Sequence, residues 1–333
     1  MCFTKGKNDF KIIGTNWDYN KLYIKMSQTE TSPKGQNGGN MQGLIVENIS
    51  NLYQVKVENE IYETTARGKF KKEEITPVVG DMVDITVTDE KEKKAVIEKI
   101  YERRVYIKRP KLANITQIIF VVSSKDPKPD LLMLDKQLAF AEFVGVDAII
   151  VLNKTDLDQK EEFRNIKQIY SKIGYTVILT DAKKRQGIDK LKDLLKNNIN
   201  AFSGNSGVGK STLINGIFNR DVTQEGEISK KNKRGKNTTT AIKLYEIDEN
   251  TYIADTPGFS TFDISEIESK ELYHYFKEFG QFEENCEFIG CTHIKEQNCG
   301  IKKAVENGEI DNARYERFCK IYQELKEKEE RKW

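Results

Sequence analysis

Gly204-Asn205-Ser206-Gly207-Val208-Gly209-Lys210-Ser211 has the spacing of a phosphate-binding loop, in which a glycine and any four residues are followed by Gly-Lys-Ser. The apolar run from Ile199 to Phe202 precedes it and predicts a buried strand, and the residues from Thr212 to Phe218 predict the first turns of a helix. Glycines let backbone N–H groups turn toward an anion, and the helix N-terminus adds its dipole. The alternative is an ordinary glycine-rich turn, which does not require this strand and helix on either side.

The loop assigns particular roles to its last residues. Lys210 would reach the β- and γ-phosphates of a nucleotide, and the Ser211 hydroxyl would ligate Mg²⁺. Thr212 completes the expected cofactor-binding set, which is Gly204, Asn205, Ser206, Gly207, Val208, Gly209, Lys210, Ser211 and Thr212.

Length and composition indicate a protein of two or three domains. The chain has 333 residues, of which 38% are hydrophobic and 32% charged, and its net charge of +2 predicts no partner by itself. No apolar run approaches the roughly eighteen residues of a membrane span, and the first residues lack the apolar segment of a signal peptide. We therefore expect a cytoplasmic protein without a membrane partner.

Residues 1–40 differ from the remainder and end in a stretch rich in Gly and Asn, which predicts a flexible N-terminal extension. One hypothesis is that Met41 is the true start; the alternative is a disordered N-terminal arm. Intact mass of the natively expressed protein would decide between them.

Residues 41–109 contain five short runs with the alternation typical of strands, which predict a small closed barrel of the oligonucleotide-binding kind. The loop from Arg67 to Lys72 carries four cations around Phe70, a combination suited to RNA if the ring stacks on a base. A solvated charged loop is the alternative. Further cations at the exit from the barrel form a second basic cluster, made of Arg103, Arg104, Lys108, Arg109 and Lys111.

Residues 110–265 alternate apolar strands with amphipathic helices, which predicts a doubly wound parallel sheet. Strands are expected at 117–122, 147–152, 176–179 and 199–202, and helices at 131–143, 161–173 and 188–196. Ligands of such sheets bind at the carboxyl ends of the strands.

Asn153-Lys154-Thr155-Asp156 directly follows one of these strands and predicts a guanine-binding loop. The Asp156 carboxylate can accept hydrogen bonds from guanine N1–H and from the exocyclic amino group, which adenine does not offer. Asn153 would fix the loop and meet the other edge of the purine, and the stem of Lys154 would lie over the ring. A helix N-cap at Thr155 or Asp156 is the alternative. The next strand ends at Thr180-Asp181-Ala182, whose backbone could close the base pocket or simply form a turn.

Two switch elements follow the phosphate loop. The segment 225–236 leads to three threonines, of which Thr239 would join Mg²⁺ and the γ-phosphate. Asp255-Thr256-Pro257-Gly258 follows a predicted strand; Asp255 would hold Mg²⁺ and the Gly258 N–H would meet the γ-phosphate. A plain turn is the alternative. The base loop precedes the phosphate loop, the reverse of ordinary small GTPases, and a circular permutation would preserve their meeting at one edge of the sheet.

Residues 266–333 include four soft ligands within fourteen residues, with the spacing C-x₄-C-x-H-x₅-C. Three thiolates and an imidazole predict a closed, structural Zn²⁺ site formed by Cys286, Cys291, His293 and Cys299. Free buried cysteines are the alternative. We expect a helix at 269–282 and a final helix that packs Cys319 in the core.

Together these residues resemble the RsgA family, also called YjeQ or YloQ, of circularly permuted GTPases that assist assembly of the small ribosomal subunit. The resemblance covers about residues 41–325. It implies a fold with an oligonucleotide-binding barrel, a permuted P-loop GTPase domain and a zinc-binding helical domain. It further implies GTP/GDP, Mg²⁺ and Zn²⁺ as cofactors, hydrolysis stimulated by the small subunit, and rRNA contacts by the barrel and zinc domains. We expect a monomer.

The chain departs from the family in switch one, where Asn237 stands in place of a histidine often proposed as catalytic. Asparagine cannot act as a base at neutral pH, but it can orient a water. The catalytic set is therefore Lys210 and Asp255, with Asn237 as a candidate. Asp181 stands where the family usually has serine. A nucleotide-regulated rRNA-binding scaffold with incidental turnover is the alternative function, whereas an ATP-using phosphotransferase conflicts with Asp156.

Overall fold

The computed structural model describes residues 40–49, 51–68, 70, 75–158, 162–219, 242–255 and 263–331. Expectations for residues 1–39, Asn237, Thr239 and Gly258 lie outside these ranges. The strands are β1 (Met41–Ile49), β2 (Leu52–Val57), β3 (Glu60–Ala66), β4 (Met82–Asp89), β5 (Lys94–Ile100), β6 (Tyr106–Lys108), β7 (Lys111–Ala113), β8 (Gln117–Ser123), β9 (Asp147–Asn153), β10 (Thr176–Thr180), β11 (Ile199–Ser203), β12 (Lys243–Asp248) and β13 (Thr251–Asp255). The α-helices are α1 (Leu131–Val144), α2 (Glu162–Ile173), α3 (Ile188–Leu195), α4 (Lys210–Phe218), α5 (Gly300–Glu306) and α6 (Asn312–Glu330).

Strands β1 to β5 form a closed barrel. β1 pairs with both β2 and β4, β2 pairs with β3, and β5 lies between β3 and β4, so that each strand has two neighbours. Alternate side chains such as Val55 and Ile85 are fully buried inside it, as the period-2 pattern requires. The five-stranded barrel predicted from the sequence is confirmed.

Phe70 is not placed for the predicted stacking on a base, and its neighbours Lys69, Lys71 and Lys72 lie outside the described residues. Phe70 is only 5% exposed and belongs to the hydrophobic core, so its ring cannot stack on a base, and that interpretation is wrong. Arg67 lies on the surface and forms an ion pair with Glu98 at 2.5 Å.

The second basic cluster is partly structural. Arg103 donates from Nε and Nη2 to the two oxygens of the buried Asp81, at 2.7 and 2.8 Å, and its guanidinium lies 4.7 Å from the centre of the Tyr106 ring. Burial acts to lower the pKa of Arg103, but Asp81 outweighs it and raises the pKa. Lys108 pairs with Glu266 at 2.6 Å. Arg103 therefore holds the barrel together through its buried partner, whereas Lys108 and Glu266 form an ion pair on the surface.

The second region is a parallel sheet covered on both faces. β8 is buried along its whole length; Ile119 and Val121 pack on one face with α3 and α4, whereas Ile118 and Phe120 pack on the other with α1 and α2. Asp130 caps α1 by accepting the Met133 N–H at 2.9 Å. The doubly wound arrangement is confirmed, and the observed elements differ from the predicted ones by a residue or two at their ends.

Strand β12, which sequence analysis did not predict, joins the barrel to the parallel sheet. β12 runs antiparallel to β13 and also pairs with β1 of the barrel, where Glu47 lies opposite Lys243. The Lys243 ammonium pairs with Glu47 at 2.8 Å, and Lys56 pairs with Glu246. The result is one eleven-stranded sheet in the order β10-β9-β8-β11-β13-β12-β1-β2-β3-β5-β4.

The C-terminal region differs from expectation in one element. Residues 269–282, predicted as a helix, form two 3₁₀ segments, Ser269–Tyr275 and Gly280–Asn285. The rings of Phe276 and Phe279 are both buried and lie 5.3 Å apart, so two close aromatics point inward from this short stretch. Cys319 on α6 is half-buried and packs against the core, as predicted. Among the described residues, no helix has the length and hydropathy needed to cross a bilayer.

A buried network of charges joins this region to the parallel sheet. Asp135 on α1 accepts hydrogen bonds at 2.5 Å from Tyr170, from Arg314 and from Arg317. Arg314 is 1% exposed and also pairs with Glu278. Burial acts to lower the pKa of Arg314, but Asp135 and Glu278 outweigh it and hold the pKa above its ordinary value.

Replacing Arg314 with alanine is expected to lower the free energy of unfolding by about 3–5 kcal/mol, because the buried Glu278 and Asp135 would lose their partner. Urea denaturation followed by far-UV circular dichroism measures this. Arg331→Ala is the matched control, since Arg331 is 80% exposed and its ion pair with Glu327 is long, at 3.8 Å; it should change the value by less than about 0.5 kcal/mol. Equal effects of the two substitutions on the free energy of unfolding would show that the buried network does not stabilise the protein.

Candidate functional site

The predicted ligand-binding residues follow strands that end at the same edge of the parallel sheet. β8 pairs in parallel with β9 and β11, β9 with β10, and β11 with β13. In the register, Ser123 lies beside Asn153, and Asn153 beside Thr180. The base loop and the phosphate loop therefore meet at one edge, although 55 positions separate Asn153 from Val208 along the chain. This is the edge at which such sheets bind ligands.

The phosphate loop has the backbone conformation that its glycines allow. Gly204, Gly207 and Gly209 have φ of +144°, +81° and +100°. A Cβ on Gly204 would lie 2.3 Å from the carbonyl oxygen of Val121, and one on Gly209 would lie 2.3 Å from the side-chain nitrogen of Asn153. Only glycine fits these two positions, and the loop leads directly into α4. The first N–H groups of α4 have no partner in their own helix and can bind an anion.

Lys210 lies over this loop. Its ammonium donates to the carbonyl oxygens of Gly204 and Asn205, at 2.6 and 2.9 Å. Burial lowers its pKa, and a phosphate group beside it would act in the opposite direction. Ser211 and Thr212 are exposed on the first turn of α4.

Asn153 connects the loops of the site. It is 1% exposed; its side-chain N–H donates to the carbonyl of Val208 at 2.9 Å, and its oxygen accepts from the Thr180 hydroxyl at 3.0 Å and from the Ala182 N–H at 3.2 Å. Asn153 therefore fixes the base loop, the phosphate loop and the β10 turn against one another. The Ala182 N–H is used in this contact.

The loop after β8, residues 124–130, is a part of the site that sequence analysis missed. Lys154 adopts a left-handed conformation, with φ of +64°, and its ammonium donates to the carbonyl oxygens of Lys125, at 3.2 Å, and Asp126. The Ser124 hydroxyl donates to the carbonyl of Lys154 at 2.7 Å. The loop follows a buried strand and lies at the same sheet edge as the other loops, and this position could have identified it as part of the site.

Asp156 is placed to meet a ligand. It is exposed on the short 3₁₀ turn Thr155–Leu157, and across the described ranges no hydrogen bond or ion pair of its carboxylate is found. Thr155 instead donates to the carbonyl of Thr180 at 3.2 Å. Asp181 is buried and accepts the Lys184 N–H at 3.1 Å, so it closes its own turn.

Asp255 ends β13, next to the strand that leads into the phosphate loop. Ala254 pairs with Ala201 of β11, which places Asp255 at the same edge as Gly204. The other switch residues, Thr239, Gly258 and the catalytic candidate Asn237, lie outside the described residues, and their roles stay predictions.

The four predicted metal ligands come together. Their ligand atoms all lie within 4.8 Å of one another. The His293 Nδ1 atom is 3.6 Å from the sulfur of Cys286 and 3.3 Å from that of Cys299, and these two sulfurs are 4.0 Å apart. A tetrahedron with bonds of about 2.0–2.3 Å to nitrogen and sulfur has edges of about 3.3–3.8 Å. The residues therefore fit a tetrahedral ion.

Burial raises the pKa of Cys291 to about 12 and lowers that of His293, so the buried thiol and imidazole favour their neutral forms. A bound cation would favour the thiolate, which is the form that ligates a metal. The Tyr315 hydroxyl donates to the His293 carbonyl at 2.7 Å. Glu296 accepts from the N–H and the hydroxyl of Thr292 at 3.0 and 2.8 Å. Burial acts to raise the pKa of Glu296, but such hydrogen bonds outweigh it and bring the pKa to about 2. Tyr315 and Glu296 thus fix the ligand loop, and the sequence did not indicate them.

Comparison with known families gives two matches. The family described as RsgA GTPase matches residues 100–265, and the RsgA N-terminal domain matches residues 42–97. The chain is 42% identical over 295 residues to the small ribosomal subunit biogenesis GTPase RsgA of Clostridium botulinum (strain Loch Maree / Type A3), covering 88% of this chain and 100% of that protein. It is 40% identical over 285 residues to the protein of that name from Alkaliphilus metalliredigens (strain QYMF), covering 86% and 98%.

Two solved structures are similar along most of the chain. YjeQ from Thermotoga maritima has a TM-score of 0.75 and 38% identity, covering 86% of this chain and 99% of that one. YloQ, described as a circularly permuted GTPase, has a TM-score of 0.75 and 28% identity, covering 89% and 99%. The permuted arrangement predicted from the order of the motifs is thereby confirmed.

Proposed function

Because this chain belongs to the RsgA family of small ribosomal subunit biogenesis GTPases, we propose that it binds the maturing small subunit and couples GTP hydrolysis to late assembly and its own release. It is a GTPase that acts in small-subunit assembly. The observation that carries the proposal is the contact between Asn153 and the Val208 carbonyl, which ties a guanine-binding loop to a phosphate-binding loop.

Different residues of the site would bind the base and the phosphates of the nucleotide. Asp156 would accept hydrogen bonds from the guanine base, and the glycines and first turn of α4 would surround the phosphates. Lys154 is anchored by its ammonium to the loop after β8, which holds its stem in a fixed direction beside the base loop. Ser211 and Asp255 are the residues that would hold Mg²⁺, which would neutralise phosphate charge when bound.

Hydrolysis of GTP needs charge stabilisation more than covalent chemistry, since the γ-phosphoryl group passes through a loose transition state. The Lys210 ammonium donates hydrogen bonds to the carbonyl oxygens of Gly204 and Asn205. When a nucleotide binds, it would donate to phosphate oxygens instead. Asn237 is proposed to orient the attacking water. It cannot take a proton from that water at neutral pH, so we expect slow turnover in the isolated protein.

Zinc is the proposed occupant of the cluster formed by Cys286, Cys291, His293 and Cys299. Three sulfurs and an imidazole at tetrahedral spacing are typical of structural Zn²⁺ sites, and four protein ligands leave no position for a substrate. The ion would supply folding free energy to the C-terminal region rather than chemistry.

Contacts with rRNA are assigned to the barrel and the C-terminal region. Exposed cations at the exit from the barrel, Arg104 and Arg109, would pair with phosphates. We propose that the protein acts as a monomer in the cytoplasm, where small subunits mature.

GTP turnover measured with and without purified small subunits tests the proposed function. We expect stimulation of at least about tenfold, because a group supplied in trans can raise the turnover of a GTPase by roughly 10³–10⁵. Lys210→Ala should abolish both rates, and large subunits should give no stimulation. Equal turnover with and without small subunits would contradict the proposal.

A further inference from the structure

The loop between the first two cysteines of the metal cluster carries an exposed apolar tip, residues 287–290. Ile289 is fully exposed and Phe288 is 57% exposed, whereas no other large apolar side chain within the described ranges exceeds 44%. Single exposed apolar residues are common on protein surfaces. Two adjacent ones at the end of a projecting loop form a contiguous apolar surface, and such surfaces mark interaction sites.

The two ends of the tip are held in place. Cys286 and Cys291, at its two ends, belong to the metal cluster, and the Cys286 sulfur accepts the Gly300 N–H at 3.3 Å. The Glu287 N–H donates to the carbonyl of Asn298 at 3.1 Å, and the Asn298 side chain donates back to the Glu287 carboxylate at 2.6 Å. A loop fixed in this way loses little conformational entropy when it binds, which favours affinity.

The surroundings of the tip are acidic. Residues 278–294, between Lys277 and Lys295, contain four glutamates and no lysine or arginine, and one of the four, Glu278, is buried in its ion pair with Arg314. Glu284 and Glu287 are exposed beside the tip, and the half-buried Glu283 accepts from the Tyr273 hydroxyl at 3.2 Å. RNA carries a negative charge on every phosphate, so these carboxylates would oppose its approach. A basic protein surface with an apolar recess complements both the charge and the shape of the tip.

We propose that the tip inserts Ile289 and Phe288 into an apolar recess on a basic protein of the small ribosomal subunit, with Glu284 and Glu287 facing cations at the rim. This inference rests on the proposed function, since it names the partner that the C-terminal region meets on the subunit. It assigns protein contact to the tip and leaves RNA contact to the barrel and to the rest of the C-terminal region.

Ile289→Ser tests the apolar part of the contact. Its Kd for small subunits, measured with a non-hydrolysable GTP analogue bound, should rise roughly tenfold to a hundredfold, which is the effect of losing one buried aliphatic side chain. Ile289→Leu is the matched control and should keep the Kd within about threefold. Because Ile289 is fully exposed, metal content and GDP affinity should not change in either variant. An unchanged Kd for Ile289→Ser would overturn the proposal.

Glu284→Lys separates a protein partner from an RNA partner. A basic protein surface predicts weaker binding to the subunit, whereas RNA predicts tighter binding and would overturn the proposal. Glu330→Lys, at the opposite end of α6 from the metal cluster, makes the same change in net charge and should have little effect. Binding to protein-free rRNA should be equal for wild type and Ile289→Ser; a loss there would also overturn it.

Two further outcomes bear on the inference. If Ile289→Ser changed the sedimentation of the free protein, the tip would pair two copies of the chain, and the proposal would be wrong. If the wild-type protein did not bind small subunits, the proposed function itself would fail. Normal subunit binding by both wild type and Ile289→Ser would refute the role of the tip alone.

Discussion

Asp156→Asn is expected to weaken GDP and GTP binding roughly 10²–10⁴-fold and to create affinity for xanthine nucleotides. Each hydrogen bond to a charged group contributes about 1.5–3 kcal/mol, and the Asp156 carboxylate would accept two from guanine. Asparagine offers one oxygen and one NH₂ group. The NH₂ group would oppose the guanine amino group but would donate to the carbonyl that xanthine carries at the same ring position. Titration with fluorescent GDP and XDP measures both affinities.

Asp158→Asn is the matched control for this substitution. Asp158 lies two residues further on, and its carboxylate accepts the N–H groups of Glu162 and Phe163 at 3.0 and 3.1 Å, at the start of α2. The control removes the same charge from the same segment without touching the proposed base pocket. It should leave GDP affinity within about threefold. If both variants bound GDP with the affinity of the wild type, Asp156 would not contact the base, and the assignment of 153–156 as a guanine-binding loop would be wrong.

Cys299→Ser is expected to remove the metal and unfold the C-terminal region. Structural Zn²⁺ sites contribute apparent binding free energies of about 10–16 kcal/mol in zinc-finger peptides, which exceeds the stability of most domains. Cys299 is fully buried and lies 3.3 Å from the His293 imidazole, so a weaker ligand there cannot be replaced by a neighbour. Elemental analysis should give one zinc per wild-type chain and none in the variant, and limited proteolysis should cut the variant after about residue 266.

Cys319→Ser provides the comparison, because Cys319 is half-buried on α6 and does not belong to the cluster. That variant should keep its zinc and resist the protease. GDP affinity should survive in both variants, since the nucleotide loops lie at the edge of the parallel sheet. Full zinc content in Cys299→Ser, or an unchanged melting temperature after the metal is removed from the wild type, would contradict a structural zinc site.

The sequence predicted the site well wherever the chemistry is local. The glycines at 204, 207 and 209 specify a backbone that other residues cannot adopt, and the spacing of the cysteines confines four ligands to fourteen residues. The apolar run of β8 identified a strand buried on both faces. Each of these features depends on residues close together in the chain, so the pattern carries the information.

Tertiary structure decided what depends on distant residues. β12 pairs with β1 across almost two hundred positions and joins the barrel to the strand that ends at Asp255. Phe70 packs in the core although cations surround it in the sequence. Arg103 pairs with the buried carboxylate of Asp81.

The ion-pair network around Arg314 also depends on residues that are distant in the sequence. A charged side chain on an amphipathic helix is expected on the solvated face, yet Arg314 is buried because Asp135 and Glu278, which lie 179 and 36 positions away, are buried with it. Local patterns determine which residues can form a strand, a turn or a ligand set. Which surfaces pack together, and therefore which charges are paired and which remain free to bind, is settled only when the whole chain has folded.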